Sequence, residues 1–205
     1  MQSNAVVKQK TSRKTLIIVL LIFIVPAVLS TLLYTSGWKP SATVNHGELI
    51  VPAKPIADRE LVTLEGKPMK FSELLGKWTM VYFDTAACPD ECNKQLYFMR
   101  QIHRSQGKNM DRIQRVFILN DGNSVDKLKA KLTEYPEMIV LKADKEILSK
   151  LSQEFGINPD STSEQRNIYL LDYLGNLMMR YQPDTEPAGM RKDLERLLKY
   201  ASDKQ

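Results

Sequence analysis

The chain has 205 residues, with 29 basic and 24 acidic side chains and a formal charge of +5. Its 43% apolar and 26% charged content is globular and excludes a wholly disordered chain, and two cysteines are too few for a disulfide-stapled miniprotein. The charge is local: Lys8, Lys10, Arg13 and Lys14 put +4 on residues 1–14, while the other 191 residues carry 25 basic against 24 acidic groups, so the sequence encodes no basic surface for nucleic acid.

Thr15–Tyr34, TLIIVLLIFIVPAVLSTLLY, has 20 residues and no charge. At ~1.5 Å per residue it spans a hydrocarbon core of ~30 Å, and backbone groups in lipid must bond internally, so a transmembrane helix is predicted. Pro26 removes one internal hydrogen bond and is a potential kink. Tyr34 and Trp38 suit the far interface, and the basic residues 1–14 favour the cytoplasm, which puts residues 39–205 outside it. A cleaved signal peptide is the competing reading, but its apolar core is shorter (~7–15 residues), and Val28-Leu29-Ser30 is a poor cleavage site.

Residues 35–59, with Pro40, Pro52 and Pro55 and little periodicity, read as a tether ahead of a domain over 60–205. Glu60–Leu64 and Met69–Phe71 bracket Gly66-Lys67-Pro68 and predict a hairpin. Trp78–Asp84 (WTMVYFD) predicts a buried strand. Pro89–Ser105 has the spacing of a helix, with Leu96, Met99 and Ile102 as its apolar face. Ile113–Asn120 predicts a strand, Val125–Glu134 a short helix capped by Asn123 or Ser124, and Met138–Lys142 another strand. Asp144–Phe155 predicts an amphipathic helix stopped by Gly156. Asn167–Asp172 and Leu177–Gln182 flank Gly175-Asn176 as a hairpin, and Glu186–Tyr200 predicts a closing helix. Strands alternating with helices imply an α/β fold with a largely parallel sheet covered on both faces, to which the last hairpin adds antiparallel pairing.

Both cysteines lie in Cys88-Pro89-Asp90-Glu91-Cys92, straight after the buried strand and at the start of a helix. Pro89 suits the first helical position and Cys88 the cap, where the helix dipole favours a thiolate. Cys92, four residues on, can present its sulfur on the same side. Such a pair serves a reversible dithiol/disulfide couple or soft-metal binding, since two thiolates suit Cu(I). Asp90 and Glu91 support the helix start but oppose a thiolate. The plainer alternative is a structural disulfide, which would stabilise little because its loop is short.

The segment VYFDTAACPDECNKQLYFMRQI resembles the strand–CxxxC–helix segment of the Sco/SenC family of thioredoxin-like proteins. The resemblance covers about residues 60–200 plus the N-terminal anchor, and Ile168-Tyr169-Leu170-Leu171-Asp172 with Gly175 fits the family's late strand and turn. Asn45-His46-Gly47-Glu48-Leu49-Ile50 and Pro52 resemble the tether of a divergent Sco-like membrane protein. The family implies a thioredoxin-like α/β fold of Sco/peroxiredoxin type, with a central mixed sheet flanked by helices. It also implies a bacterial inner-membrane protein with its domain in the periplasm, and a role in copper-site assembly of cytochrome c oxidase. Implied partners are the lipid bilayer, an oxidase subunit and other copper or thiol assembly proteins.

One departure matters. Sco proteins carry a histidine shortly before the late strand as a third copper ligand, whereas Ser161–Asn167 here contains none. The resemblance therefore carries over Cys88 and Cys92 as candidate redox residues and Cu(I) ligands, with the third ligand unassigned. His103 is 11 residues past Cys92, ~16 Å along one helix, and reads as an ordinary helix-face histidine. His46 lies in the tether, where a turn or interface role is the plainer reading. Met99, Met178 and Met179 read as packing residues. Glu164, nearest the missing ligand, is hard and suits Cu(I) poorly. Thioredoxin's proline before the late strand is also missing, which weakens a general reductase role. Three functions stay open: dithiol-dependent oxidase assembly, a Cu(I) metallochaperone, and a tethered adaptor with a structural disulfide.

Overall fold

The computed structural model describes residues 13–36, 45–121, 125–158 and 166–201. The chain divides into two compact units, Met1–Thr43 and Val44–Gln205. In the first, helix α1 runs over Arg13–Thr35 and passes through Pro26. It is long and apolar enough to cross a membrane, and none of its side chains is buried. Lys8, Lys10 and Trp38 lie outside the described residues.

Among its described residues the second unit is built on eight strands: β1 (Glu48–Pro55), β2 (Glu60–Thr63), β3 (Pro68–Lys70), β4 (Trp78–Asp84), β5 (Ile113–Leu119), β6 (Met138–Lys142), β7 (Ile168–Leu171) and β8 (Asn176–Tyr181). Its helices are α2 (Asp90–Ser105), α3 (Val125–Leu132), α4 (Lys145–Glu154) and α5 (Pro187–Tyr200). The strands form one sheet in the order β1-β8-β7-β4-β5-β6-β2-β3. Among the described residues only β4–β5 and β5–β6 pair in parallel; the other pairings are antiparallel. The sheet is thus mixed rather than largely parallel. The late hairpin β7–β8 inserts beside β4, with Val81 opposite Tyr169, instead of extending a parallel row.

The expected tether is also corrected. Glu48–Pro55 is an edge strand, with Glu48 opposite Arg180 and Lys54 opposite Leu177, so the sheet starts well before residue 60. Both prolines are compatible with this position: Pro52 lies where the register shifts between Leu49 and Lys54, Pro55 ends the strand, and an edge spares the missing N–H. Glu48 and Arg180 close the edge with a bidentate pair at 2.8 Å.

Strand β4 is buried along its whole length, as its continuous apolar run requires. Trp78, Met80 and Tyr82 face one core with Leu96, Met99 and Ile102 of α2, Leu128 of α3 and Leu194 of α5. Val81 and Phe83 face the other, with Leu151 and Phe155 at α4 and Phe71 and Leu74 of a short 3-10 turn. There the rings of Phe83, Phe155 and Tyr169 meet edge to face, with centroids 5.0–6.0 Å apart. Asp144 caps α4 by accepting from the Ile147 N–H at 2.8 Å. The Asn123/Ser124 cap proposed for α3 lies outside the described residues.

A bidentate pair ties the segment before β2 to the end of α4: Arg59 donates to both Glu154 oxygens at 2.6 and 2.7 Å, and the Ala57 N–H adds a third bond at 3.3 Å. The guanidinium holds the Glu154 carboxyl below the ordinary glutamate value of 4.5. A depressed folded pKa contributes stability that is fully present above the unfolded value and is lost as pH falls through the folded one. Denaturant unfolding across the acid range should therefore show a shallower acid loss for Glu154→Gln than for the native chain; identical slopes would remove this pair from the acid response.

Candidate functional site

Strand β4 ends at Asp84, and residues 85–89 turn the chain into α2. Two aspartates hold this turn. Asp84 accepts from the Tyr82 hydroxyl at 2.9 Å and from the Thr85 N–H at 2.7 Å. Asp121, at the end of β5, accepts from the Ala86 N–H at 2.7 Å. Burial and the neighbouring Asp84 carboxylate raise the Tyr82 phenol far above its ordinary value, so Tyr82 stays a donor.

Cys88 and Cys92 are bonded to each other, with Cα atoms 5.1 Å apart. Pro89 rather than Cys88 occupies the N-cap of α2. Cys88 thus sits one residue outside the helix and Cys92 lies in its first turn, where N–H groups and dipole favour a thiolate on reduction. Asp90 and Glu91 share that turn and oppose it. Cys88 has φ 39°, a left-handed conformation that costs a non-glycine residue about 1–3 kcal/mol. Its N–H donates to the Thr85 carbonyl at 3.1 Å, and Lys131 of α3 donates its ammonium to the Cys88 carbonyl. Both cysteines are fully buried, in the core that holds Met80, Tyr82, Leu96, Met99 and Leu128.

The other candidate ligands do not converge on the pair. His46 turns to α5, its Nδ1 3.1 Å from Asp193. His103 is buried, its Nε2 3.1 Å from the Met110 carbonyl, and burial with the nearby Arg115 charge holds its pKa below the ordinary value. Met99 and Met179 are core residues, and Met178 is partly buried against the same core. Glu164 lies outside the described residues. Among the described residues no group of three or more His, Cys, Asp or Glu side chains is placed to hold a metal. Once reduced, the pair offers two soft sulfurs four residues apart, a donor set that fits Cu(I). Sequence reasoning missed Asp121 and Lys131. They lie 33 and 43 residues from Cys88 in sequence, and nothing local points from them to it.

A mixed sheet with helices on both faces, and a cysteine pair where a central strand passes into a helix, define a thioredoxin-like protein. Residues 78–201 match the family model described as the transmembrane-like, thioredoxin-like, C-terminal domain. The chain is 29% identical over 136 residues to the "Putative copper-binding protein" of Stutzerimonas stutzeri, covering 64% of this chain and 67% of that one. It is 25% identical over 144 residues to the mitochondrial SCO1 homolog 1 of Arabidopsis thaliana, covering 63% of this chain but only 42% of that protein. The solved structure of BsSco, described as a member of the Sco family of cytochrome c oxidase assembly proteins with a disulfide switch, matches with a TM-score of 0.58 at 13% identity, over 75% of this chain and 99% of that one. The chain belongs to the transmembrane-like, thioredoxin-like family.

Proposed function

We propose that this chain is a membrane-anchored Sco-like protein whose exported domain assists assembly of a heme-copper oxidase through the Cys88/Cys92 dithiol. The observation that carries the reading is the cysteine pair itself, bonded within one turn at the strand-to-helix junction. In the reduced form the two thiols give two electrons and two protons to a partner disulfide, and Cys88 and Cys92 close on each other; the reverse oxidises a partner's dithiol. Because both sulfurs are buried, exchange requires local opening around α3, which Lys131 holds to Cys88. The α1 helix supplies the bilayer anchor. The basic residues 1–14 set its orientation, with the N-terminus in the cytoplasm and the domain in the periplasm of a bacterial inner membrane.

A second reading, Cu(I) carriage, is favoured by the two-sulfur donor set and by the copper-binding relative. Copper is then cargo held by the reduced pair. Anaerobic Cu(I) titration of the full chain in detergent tests both readings when combined with thiol counting after incubation with an oxidised two-cysteine peptide. The exchange reading expects two thiols lost per chain and two gained on the peptide. The copper reading expects one Cu(I) per reduced chain and none on the Cys88→Ser/Cys92→Ser chain. An unreactive pair that also leaves Cu(I) in solution would leave only the structural disulfide.

A further inference from the structure

Both cysteines are fully buried, and one short stretch of chain is fastened to either end of their motif. Leu128 of α3, itself fully buried, belongs to the core the cysteines occupy, and Leu132 packs against that core. Lys131 donates its ammonium to the Cys88 carbonyl. The Tyr135 hydroxyl donates at 2.8 Å to the side-chain oxygen of Asn93, the residue after Cys92. Burial raises the Tyr135 phenol above its ordinary value, so it stays a donor. Between these two, Arg100 of α2 donates to the Glu134 carbonyl at 2.5 Å and lies over the Tyr135 ring, 5.1 Å from its centroid.

The same stretch is built to move. Helix α3 has only eight residues, too short to persist without its packing. A cavity of about 540 Å³ runs along its flank, lined among others by Leu64, Met69, Lys129, Leu132 and Tyr135. Side chains facing such a space forgo contacts there, so displacing them sacrifices little. The far end is fixed: the Pro136 carbonyl accepts from Arg115 of β5 at 2.5 Å, and β6 starts at Met138. Between them Glu137 has φ 66°, a left-handed conformation unfavourable for a non-glycine residue and relieved when the backbone rotates.

We propose that residues 125–137 form a gate over the dithiol, with Lys131 and Tyr135 as the positioning residues that hold it shut and Glu137 as its hinge. Opening breaks the two bonds to Cys88 and Asn93 and withdraws Leu128, which bares the sulfurs. The gate rests on the proposed function only in taking the dithiol as the reacting group, and it governs thiol exchange and Cu(I) capture alike.

Reduction of the oxidised full chain in detergent by tris(hydroxypropyl)phosphine tests it. This reagent is uncharged, so its attack does not sense the Lys131 ammonium, and it needs no protein partner. It gives two electrons to the disulfide; water supplies the oxygen of the phosphine oxide and the two protons of the thiols. The native disulfide should be reduced at least about tenfold more slowly than that of an isolated peptide of residues 88–92. Lys131→Met keeps the apolar stem and Tyr135→Phe keeps the ring. Each should speed reduction roughly 2–10-fold, the effect of one lost hydrogen bond on the opening equilibrium. Lys131→Arg should restore slow reduction. Glu154→Gln, which loosens the other face of the sheet, should leave the rate unchanged. Urea below the unfolding transition should hardly accelerate reduction, because local opening exposes little surface. A native rate equal to that of the peptide would overturn the gate, as would rates unchanged in both Lys131→Met and Tyr135→Phe. So would an acceleration by urea that tracks global unfolding. Gated reduction without exchange on the two-cysteine peptide would sink the proposed exchange and still establish the gate.

Discussion

Serine at both Cys88 and Cys92 is expected to abolish oxidase assembly in cells that depend on this chain, while the domain remains folded. The two effects separate because the disulfide spans only four residues. For so short a loop the chain-entropy relation gives a stabilisation of only about 2 kcal/mol, and the larger contribution comes from two cores packed on either side of β4. Loss of oxidase activity together with a retained cooperative melting transition therefore assigns the role to sulfur chemistry. Full activity in the doubly substituted chain would instead establish the pair as a structural clip.

The largest stability effect is expected at Asp193 on α5. Its carboxylate is 2% exposed and accepts four bonds: from the backbone N–H groups of His46 and Gly47 at 2.8 and 3.0 Å, from the Tyr181 hydroxyl at 3.4 Å, and through the contact with His46 Nδ1 at 3.1 Å. The packing leaves no slack. A Cβ at Gly47 would come within 2.5 Å of the Tyr181 ring, and one at Gly189 within 2.6 Å of the His46 ring. Asp193→Ala strands several donors at once and should cost about 3–5 kcal/mol. At ~2–4 °C per kcal/mol for a domain of this size, the melting temperature should fall by roughly 10 °C. Asp193→Asn, which keeps one acceptor oxygen, should lose distinctly less. A loss below about 1 kcal/mol for the alanine variant would show that His46 and Gly47 find other partners.

Much of the fold is legible where a single segment carries its own signal. The run Trp78–Asp84 is apolar at every position but Thr79 and Asp84 and emerges as the strand buried on both faces. Gly175 adopts φ 84° in the turn between β7 and β8, as the Gly-Asn pair implies. What stays hidden depends on partners distant in sequence. The strand Glu48–Pro55 looks like a linker because it contains two prolines, and its pairing partner Asn176–Tyr181 lies more than a hundred residues on. The antiparallel slot of β7 beside β4 has no local mark either, and so the sheet reads as more parallel than it is. At the site, the spacing of Cys88 and Cys92 identifies the pair. Their complete burial and the hold of Asp121 and Lys131 on the turn are tertiary facts. The helix boundary shifts by one residue because Pro89 takes the cap that the sequence assigns to Cys88.

The two borders of the sheet bear on self-association. An unpaired strand edge is a template for a neighbouring molecule, and that hazard grows where chains are held at high local density. One border here is β1, interrupted by Pro52, ended by Pro55 and carrying Glu48 and Lys54; the other is β3, three residues long and opened by Pro68. Neither offers a long, regular ladder of free amides and carbonyls. The segment that looks like a simple connector thus caps the sheet, and these domains should stay separate when crowded rather than joining edge to edge into fibres.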